Sequence, residues 1–232
     1  MKRLLAAALA AISLLATSCK DDSVLMYNVV TFGNLQEDGA FITDRGLTYH
    51  ITASDCDDFP EGQTRFLIAC DVLKKLSDTE YNIRLTNFLV PLVKEPVGEG
   101  EVPEETLGDN PMNIGTGWIS GGHLNIQAIF YFKQTDGAKH VINLVREEGP
   151  FPDDTLYYRL RHNANGEYPG GEVSVEDMVL GYAYCCFPIA DDLPEEKDAM
   201  PVKLTWRWLV EGTEEDPYPT ALFVSKDNTL TR

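Results

Sequence analysis

The sequence predicts an all-β protein: a five-stranded OB-like barrel followed by a β-sandwich. Three observations lead there. Almost no segment of the 232 residues repeats apolar side chains at the 3.6-residue period of a helix. Apolar and β-branched residues instead alternate with polar ones in short runs bounded by Gly, Asp, Asn and Pro. Finally, KEPVGEGEVPEETLGDN (94–110), rich in proline, glycine and acids, separates a first group of such runs from a second.

Each run of the first group has its own signature. In YNVVTFGNLQ (27–36) β-branched and aromatic residues dominate, and Glu37-Asp38-Gly39 turns the chain into AFITD (40–44). Arg45-Gly46 turns it again into LTYHIT (47–52). The acidic loop ASDCDDFPEGQ leads to TRFLIACDVL (64–73), and Leu76-Ser77-Asp78 breaks the run before YNIRLTNFLVPLV (81–93). There Ile83, Leu85 and Asn87 alternate with Asn82, Arg84 and Thr86. Five strands in about seventy residues suit a small closed barrel of the OB type. The loop between the third and fourth strands is acidic and short of helix signals, where many such barrels carry a helix.

The second group begins with HLNIQAIFYFK (123–133), which puts Leu124, Ile126, Ala128, Phe130 and Phe132 on one face. Asp136-Gly137 is a hairpin signal, and KHVINLVRE (139–147) returns. TLYYRLRH (155–162), the region 181–187 and VKLTWRWLV (202–210) complete the set, with Trp206 and Trp208 read as core. Many alternating strands joined by loops imply a sandwich. The expected boundaries are 27–93 for the barrel, 94–110 for an acidic linker, 111–215 for the sandwich and 216–232 for a tail, in which ALFVS (221–225) can add an edge strand.

Residues 1–18 read as a lipoprotein signal peptide. Lys2 and Arg3 precede an apolar stretch from Leu4 to Leu15, interrupted only by Ser13. That stretch is too short to span a bilayer, which needs about 20 residues. Ala16-Thr17-Ser18 leads directly into Cys19, an arrangement that resembles a bacterial lipobox, with Cys19 as the lipid attachment site. Lys20-Asp21-Asp22, within the anchor linker 19–26, resembles the signal that sends Bacteroidetes lipoproteins to the outer face of the outer membrane. Asp22-Ser23-Val24 and Asp154-Thr155-Leu156 resemble a Bacteroidetes O-glycosylation triplet, which makes Ser23 and Thr155 candidate acceptors.

Charge restricts the partners. With 37 acidic and 19 basic residues the formal net charge is −18. The barrel region 26–96 alone holds six Lys and Arg against eleven Asp and Glu. An OB barrel often grips single-stranded nucleic acid, but this one would repel backbone phosphate, so nucleic acid is excluded. Beyond Cys19 the cysteines are Cys56, Cys70, Cys185 and Cys186, with no CxxC among them. Cys185 and Cys186 point to opposite faces of a strand, and a Cys56–Cys70 bridge stays open at this stage.

The first block, with VVTFGNLQEDGAFITDRGLTYHI, EGQTRFLIACDVL and YNIRLTNFLV, resembles the N-terminal OB domain of NigD-like proteins. NPMNIGTGWISGGHLNIQAIF, KHVINLV and LRHNANGE resemble that family's C-terminal β-sandwich. The resemblance implies a Bacteroidetes lipoprotein of barrel-plus-sandwich build. It implies no reaction.

The stretch RLRHNANGE (159–167) gathers the residues that most resemble a site. His162 as general base, with Arg159 or Arg161 holding an anion, is the catalytic reading. The structural reading follows from alternation. Leu156, Tyr158, Leu160 and His162 form one inward row, Tyr157, Arg159 and Arg161 face out, and Asn163, Asn165 and Gly166 make a tight turn. We expect the turn. His50, His123, His140 and His162 form no HxH or HExxH pair, and the acidic clusters lack a calcium loop, so no metal or cofactor is expected. GxSxG, GxGxxG and P-loop motifs are missing as well. The expected function is therefore a non-enzymatic surface binding or accessory module for a glycan, peptide or protein, with Trp118, Tyr157 and Tyr218 as candidate contacts. The alternative is a hydrolase with acids and His162 between the two domains.

Overall fold

The computed structural model describes residues 25–134, 137–149, 151, 154–171, 174–223 and 229–231. The signal peptide, Cys19, Lys20, Asp21, Asp22 and Ser23 lie outside these residues. The first five strands are β1 (Met26–Leu35), β2 (Ala40–Thr43), β3 (Thr48–Ser54), β4 (Arg65–Lys75) and β5 (Glu80–Leu89). They close into a barrel in the order β1-β2-β3-β5-β4, antiparallel except for the β3–β5 pair. Alternation dictates the interior: Phe41, Phe66, Ile68, Ile83 and Leu85 bury their side chains together. Each such burial stabilises by about 1.5–3 kcal/mol. Closure demands a glycine where β1 passes from β4 to β2. A Cβ on Gly33 would lie 2.2 Å from the Ile42 carbonyl oxygen.

The rest of the chain forms two further sheets. β6 (Leu92–Val93), β12 (Met178–Pro188), β9 (His123–Lys133) and β8 (Asn113–Ser120) make one sheet in that order. The other runs β14 (Thr220–Phe223), β13 (Ala199–Arg207), β11 (Leu156–Asn163), β10 (Val141–Arg146) and β7 (Val97–Gly98), with β15 (Thr229–Thr231) also paired to β13. Their facing sides enclose one core, in which Leu124, Ile126 and Phe187 meet Leu144, Leu160 and Val202. The chain is thus nearly all β.

The β8-β9-β12 sheet is covered on both faces at the end that carries Asn125 and Cys186. Leu124, Ile126 and Cys185 point into the sandwich core, while the intervening Asn125 and Cys186 are also fully buried. Asn125 hydrogen-bonds Arg65 of the barrel, so its face of the sheet meets the barrel. All four cysteines described are free thiols, with no Cys56–Cys70 bridge. Burial pushes the Cys185 thiol up to about 12, with Cys186 adding to the shift. Cys185 and Cys70 pack as small apolar groups in the two cores.

Several expectations need correction. Leu92 and Val93 belong to the sandwich, paired with Cys185 and Cys186. Segment 94–110 is folded rather than a free linker: Val97 and Gly98 pair with Val145 and Arg146. Within the same segment α1 (Glu104–Leu107) buries Leu107. Two-residue strands and a single helical turn leave no periodicity to detect. Trp208, one residue beyond the end of β13, is 41% exposed and does not belong to the core. Thr155 is only 7% exposed, so the folded domain does not present it as a glycosylation acceptor.

Candidate binding cleft

A cleft of about 660 Å³ lies between the barrel and the β8-β9-β12 sheet. On the barrel side Val29 to Phe32 of β1 line it, with Asp44 and Arg45 of the β2–β3 turn. Trp118, Ser120 and Tyr184 line the sandwich side. Phe32 sits outside the barrel core and sets its ring 5.5 Å from Trp118 and 5.9 Å from Tyr184, the latter edge-on. Tyr182, two residues along the same face of β12, is exposed and meets Tyr184 at 5.9 Å. A row of aromatic faces therefore runs from the cleft onto the open surface. Such rings stack on flat or apolar groups while their polar tips stay wet.

The cleft floor is fixed by a buried ion pair. Arg65 donates to both Asp44 oxygens, at 3.0 and 2.8 Å, and to Asn125 Oδ1 at 2.8 Å. Ser120 Oγ donates to Asp44 at 2.6 Å and accepts from Trp118 Nε1 and Asn125 Nδ2, each at 3.1 Å. Burial alone would lower the Arg65 pKa, but the hydrogen bond and charge of Asp44 outweigh it and keep the guanidinium ionised. The network joins barrel to sandwich and orients Trp118 in the cleft wall. A fork-to-fork Arg–carboxylate pair supplies the geometric precision for that task.

The RLRHNANGE stretch lies elsewhere. Asn165 (φ 47°) and Gly166 (φ 90°) carry the turn that ends β11. His162 is buried, Phe130 packs on it, and its Nε2 lies 3.0 Å from His140 Nδ1. His140 Nε2 in turn lies 3.1 Å from Glu167 Oε2. Glu167 also accepts from the backbone N–H of Lys133, at 2.9 Å, and of Ala138, at 2.5 Å. Burial pushes Glu167 up, but these bonds outweigh it and hold the carboxyl below its ordinary value. Burial, reinforced by His140, lowers His162 to about 4. The result is an interior chain, His162–His140–Glu167, that ties β10 and β11 to the loop beyond. None of the three lines the cleft.

Arg161 does not reach solvent as alternation implied. It donates to the Gly108 carbonyl at 2.6 Å and to Glu104 at 2.7 Å, while Asn163 Nδ2 donates to the Glu105 carbonyl at 2.9 Å. The outward face of the motif thus holds segment 104–108 in place. Among the other candidates, Tyr157 takes part in a contact with Lys203 at 2.8 Å, and Tyr218 donates to the Pro169 carbonyl. Neither borders the cleft. Trp118 alone of the three aromatic candidates does. Among the described residues no group of three or more His, Cys, Asp and Glu is arranged to hold a metal ion.

Sequence reasoning missed Arg65, Asp44, Phe32 and Tyr184. Arg65 opens an otherwise apolar strand, TRFLIAC, and that exception is the one available signal. Its partners lie 21 and 60 residues away, beyond any local pattern.

Comparison with known proteins agrees with this architecture. A Bacteroides vulgatus protein of unknown function has a similar solved structure (TM-score 0.64, 19% identity, covering 86% of this chain and 90% of that one). A NigD-like immunity protein from Bacteroides caccae follows at TM-score 0.60 and 16% identity, covering 87% and 99%. A candidate lipoprotein from Bacteroides fragilis gives 0.57 and 11%, covering 85% and 97%. No curated protein matches the chain. The model of the NigD-like C-terminal β-sandwich domain matches residues 95–216, just over half of the sequence. With its sandwich matched by the family model, the chain belongs to the NigD-like family.

Proposed function

We propose that the protein is a lipid-anchored lipoprotein of the outer membrane, facing the cell exterior. There it acts as a non-enzymatic binding or accessory module that holds a glycan, peptide or protein partner in the cleft. The observation that carries this reading is the aromatic row of Phe32, Trp118, Tyr184 and Tyr182, held rigid by the Arg65–Asp44 network. The five strands and their closing order support an OB type for the barrel. Among the described residues no helix is long and apolar enough to cross a membrane, and Cys19 supplies the anchor. The Bacteroides fragilis neighbour supports the lipoprotein reading, and the Bacteroides caccae neighbour, an immunity protein, makes a protein or peptide partner reasonable. Nothing specific favours a hydrolase. Asp44 is tied up by Arg65 and Ser120, and His162 is enclosed within the sandwich.

Two experiments test this. Mass spectrometry of the native N-terminal peptide should return an acylated Cys19, and an unmodified terminus at another residue ends the anchor. Titration of the purified protein with linear hexaoses and extended peptides should quench tryptophan emission saturably for at least one probe. W118A should weaken that binding by about tenfold or more. New reducing ends or amines would show turnover and favour the hydrolase, and the absence of any response from every probe would remove the cleft as a site.

A further inference from the structure

We propose that the cleft takes an extended peptide, which joins the barrel as an added strand along the open edge of β1. This deepens the cleft-binding reading and rests on it. The edge follows from register. Gly33, Thr31 and Val29 lie opposite Phe66, Ile68 and Cys70 of β4. The Leu35 N–H donates to the Thr64 carbonyl at 2.7 Å, which fixes the odd-numbered residues of β1 as those that bond to β4. Val30, Phe32 and Asn34 therefore aim their main-chain groups the other way. Asn34 lies opposite Ile42 of β2, and the Phe32 carbonyl accepts from Asp44 N–H at 2.9 Å. β2 ends at Thr43 and the chain turns away, so it pairs with β1 only at Gly33 to Leu35. The Phe32 N–H and both main-chain groups of Val30 find no partner among the described residues.

These groups lie at the cleft, not on a flat outer surface. Val29 to Phe32 all line it, and Val30 is 62% exposed. At roughly 3.3 Å per residue, four residues offer about 13 Å of edge. A row of unpaired N–H and C=O groups is satisfied by another peptide backbone, which is the logic of strand addition. A sugar ring has no such repeat. The side chains of an added strand would alternate, and those beside Val30 and Phe32 would meet Trp118 and Tyr184, so bulky apolar residues fit every second position. Arg45 lines the cleft as well, but the net charge of −18 favours a neutral or basic segment over an acidic one.

The probe is a blocked peptide, acetyl-Lys-Val-Thr-Val-Thr-Val-Lys-amide, titrated into the mature protein while tryptophan emission and backbone amide resonances are followed. Saturable binding is expected, with the Val30 and Phe32 amides shifting most. V30P removes one bonding N–H that the fold does not use, and an exposed edge tolerates proline. Binding to V30P should be about tenfold weaker or worse. The same peptide N-methylated at alternate residues should lose binding to a like extent, and this arm holds on the unaltered protein should V30P fail to fold. Equal binding of the methylated peptide, or of a folded V30P, overturns strand addition. A linear hexaose that quenches Trp118 when the peptide does not also overturns it, yet leaves the cleft a binding site. Failure of every probe takes both readings down.

Discussion

Replacing Arg65 by alanine should destabilise the protein by about 3–5 kcal/mol, the range for removing one partner of a buried ion pair. The Arg65 and Asp44 side chains are 2% and 6% exposed, so water cannot take the place of the lost guanidinium. Asp44 would keep the Ser120 hydroxyl but lose its counter-charge, and Asn125 would lose its donor. Because the partners lie on both sides of the barrel–sandwich contact, R65A should also split urea unfolding into two transitions. The double variant R65M/D44L removes both charges and should recover much of the loss, since replacing a buried pair with apolar groups is often close to neutral. A loss below about 1 kcal/mol in R65A would mean the pair behaves as a solvated surface bridge.

Acid should weaken the protein well before its carboxylates are neutralised. His162 titrates at about 4 when folded against 6.5 when free, because burial and then His140 disfavour its charged form. The unfolded chain therefore binds the extra proton first. The stability this group contributes is complete above pH 6.5, falls as the pH drops toward 4, and declines no further below that. At 1.36 kcal/mol per unit the swing is on the order of 3 kcal/mol. Glu167 is held below its ordinary 4.5, so its contribution is lost only at the acid end, while His123, also lowered by burial, shares the window below pH 6.5, and the H162F comparison separates the two histidines. Urea titrations across that window should show the slope in the wild type and a flatter one in H162F. An equal slope in both would assign the effect to other groups.

Period-two alternation made the long strands readable, because Ile83 with Leu85, and Leu124 with Ile126, bury against one face whatever the partner strand is. The turn at Asn165-Gly166 was readable for the same local reason: both residues tolerate positive φ. Contacts set by distant pairing were not. Leu92-Val93 and Val97-Gly98 are too short to alternate, and they become strands because β12 and β10 offer them an edge. Arg161 was assigned to solvent by correct alternation, but α1 and Gly108 cover that face. Phe32 likewise points out of the barrel, and is buried by a wall some 90 residues further on. The cleft is made of such pairs, so neither half of the sequence contains it.

The double coverage of one end of the β8-β9-β12 sheet bears on how this protein can be cut. A piece trimmed to residues 95–216, the span that matches the family model, loses β6 from one sheet of the sandwich and β14 and β15 from the other. It also strips the barrel from the outer face, opening Asn125 and Cys186 to water and leaving Tyr184 without Phe32. Such an excised piece would carry a sticky flank and only one wall of the cleft. The two blocks are therefore best expressed together, with the shared sheet as the party wall between them.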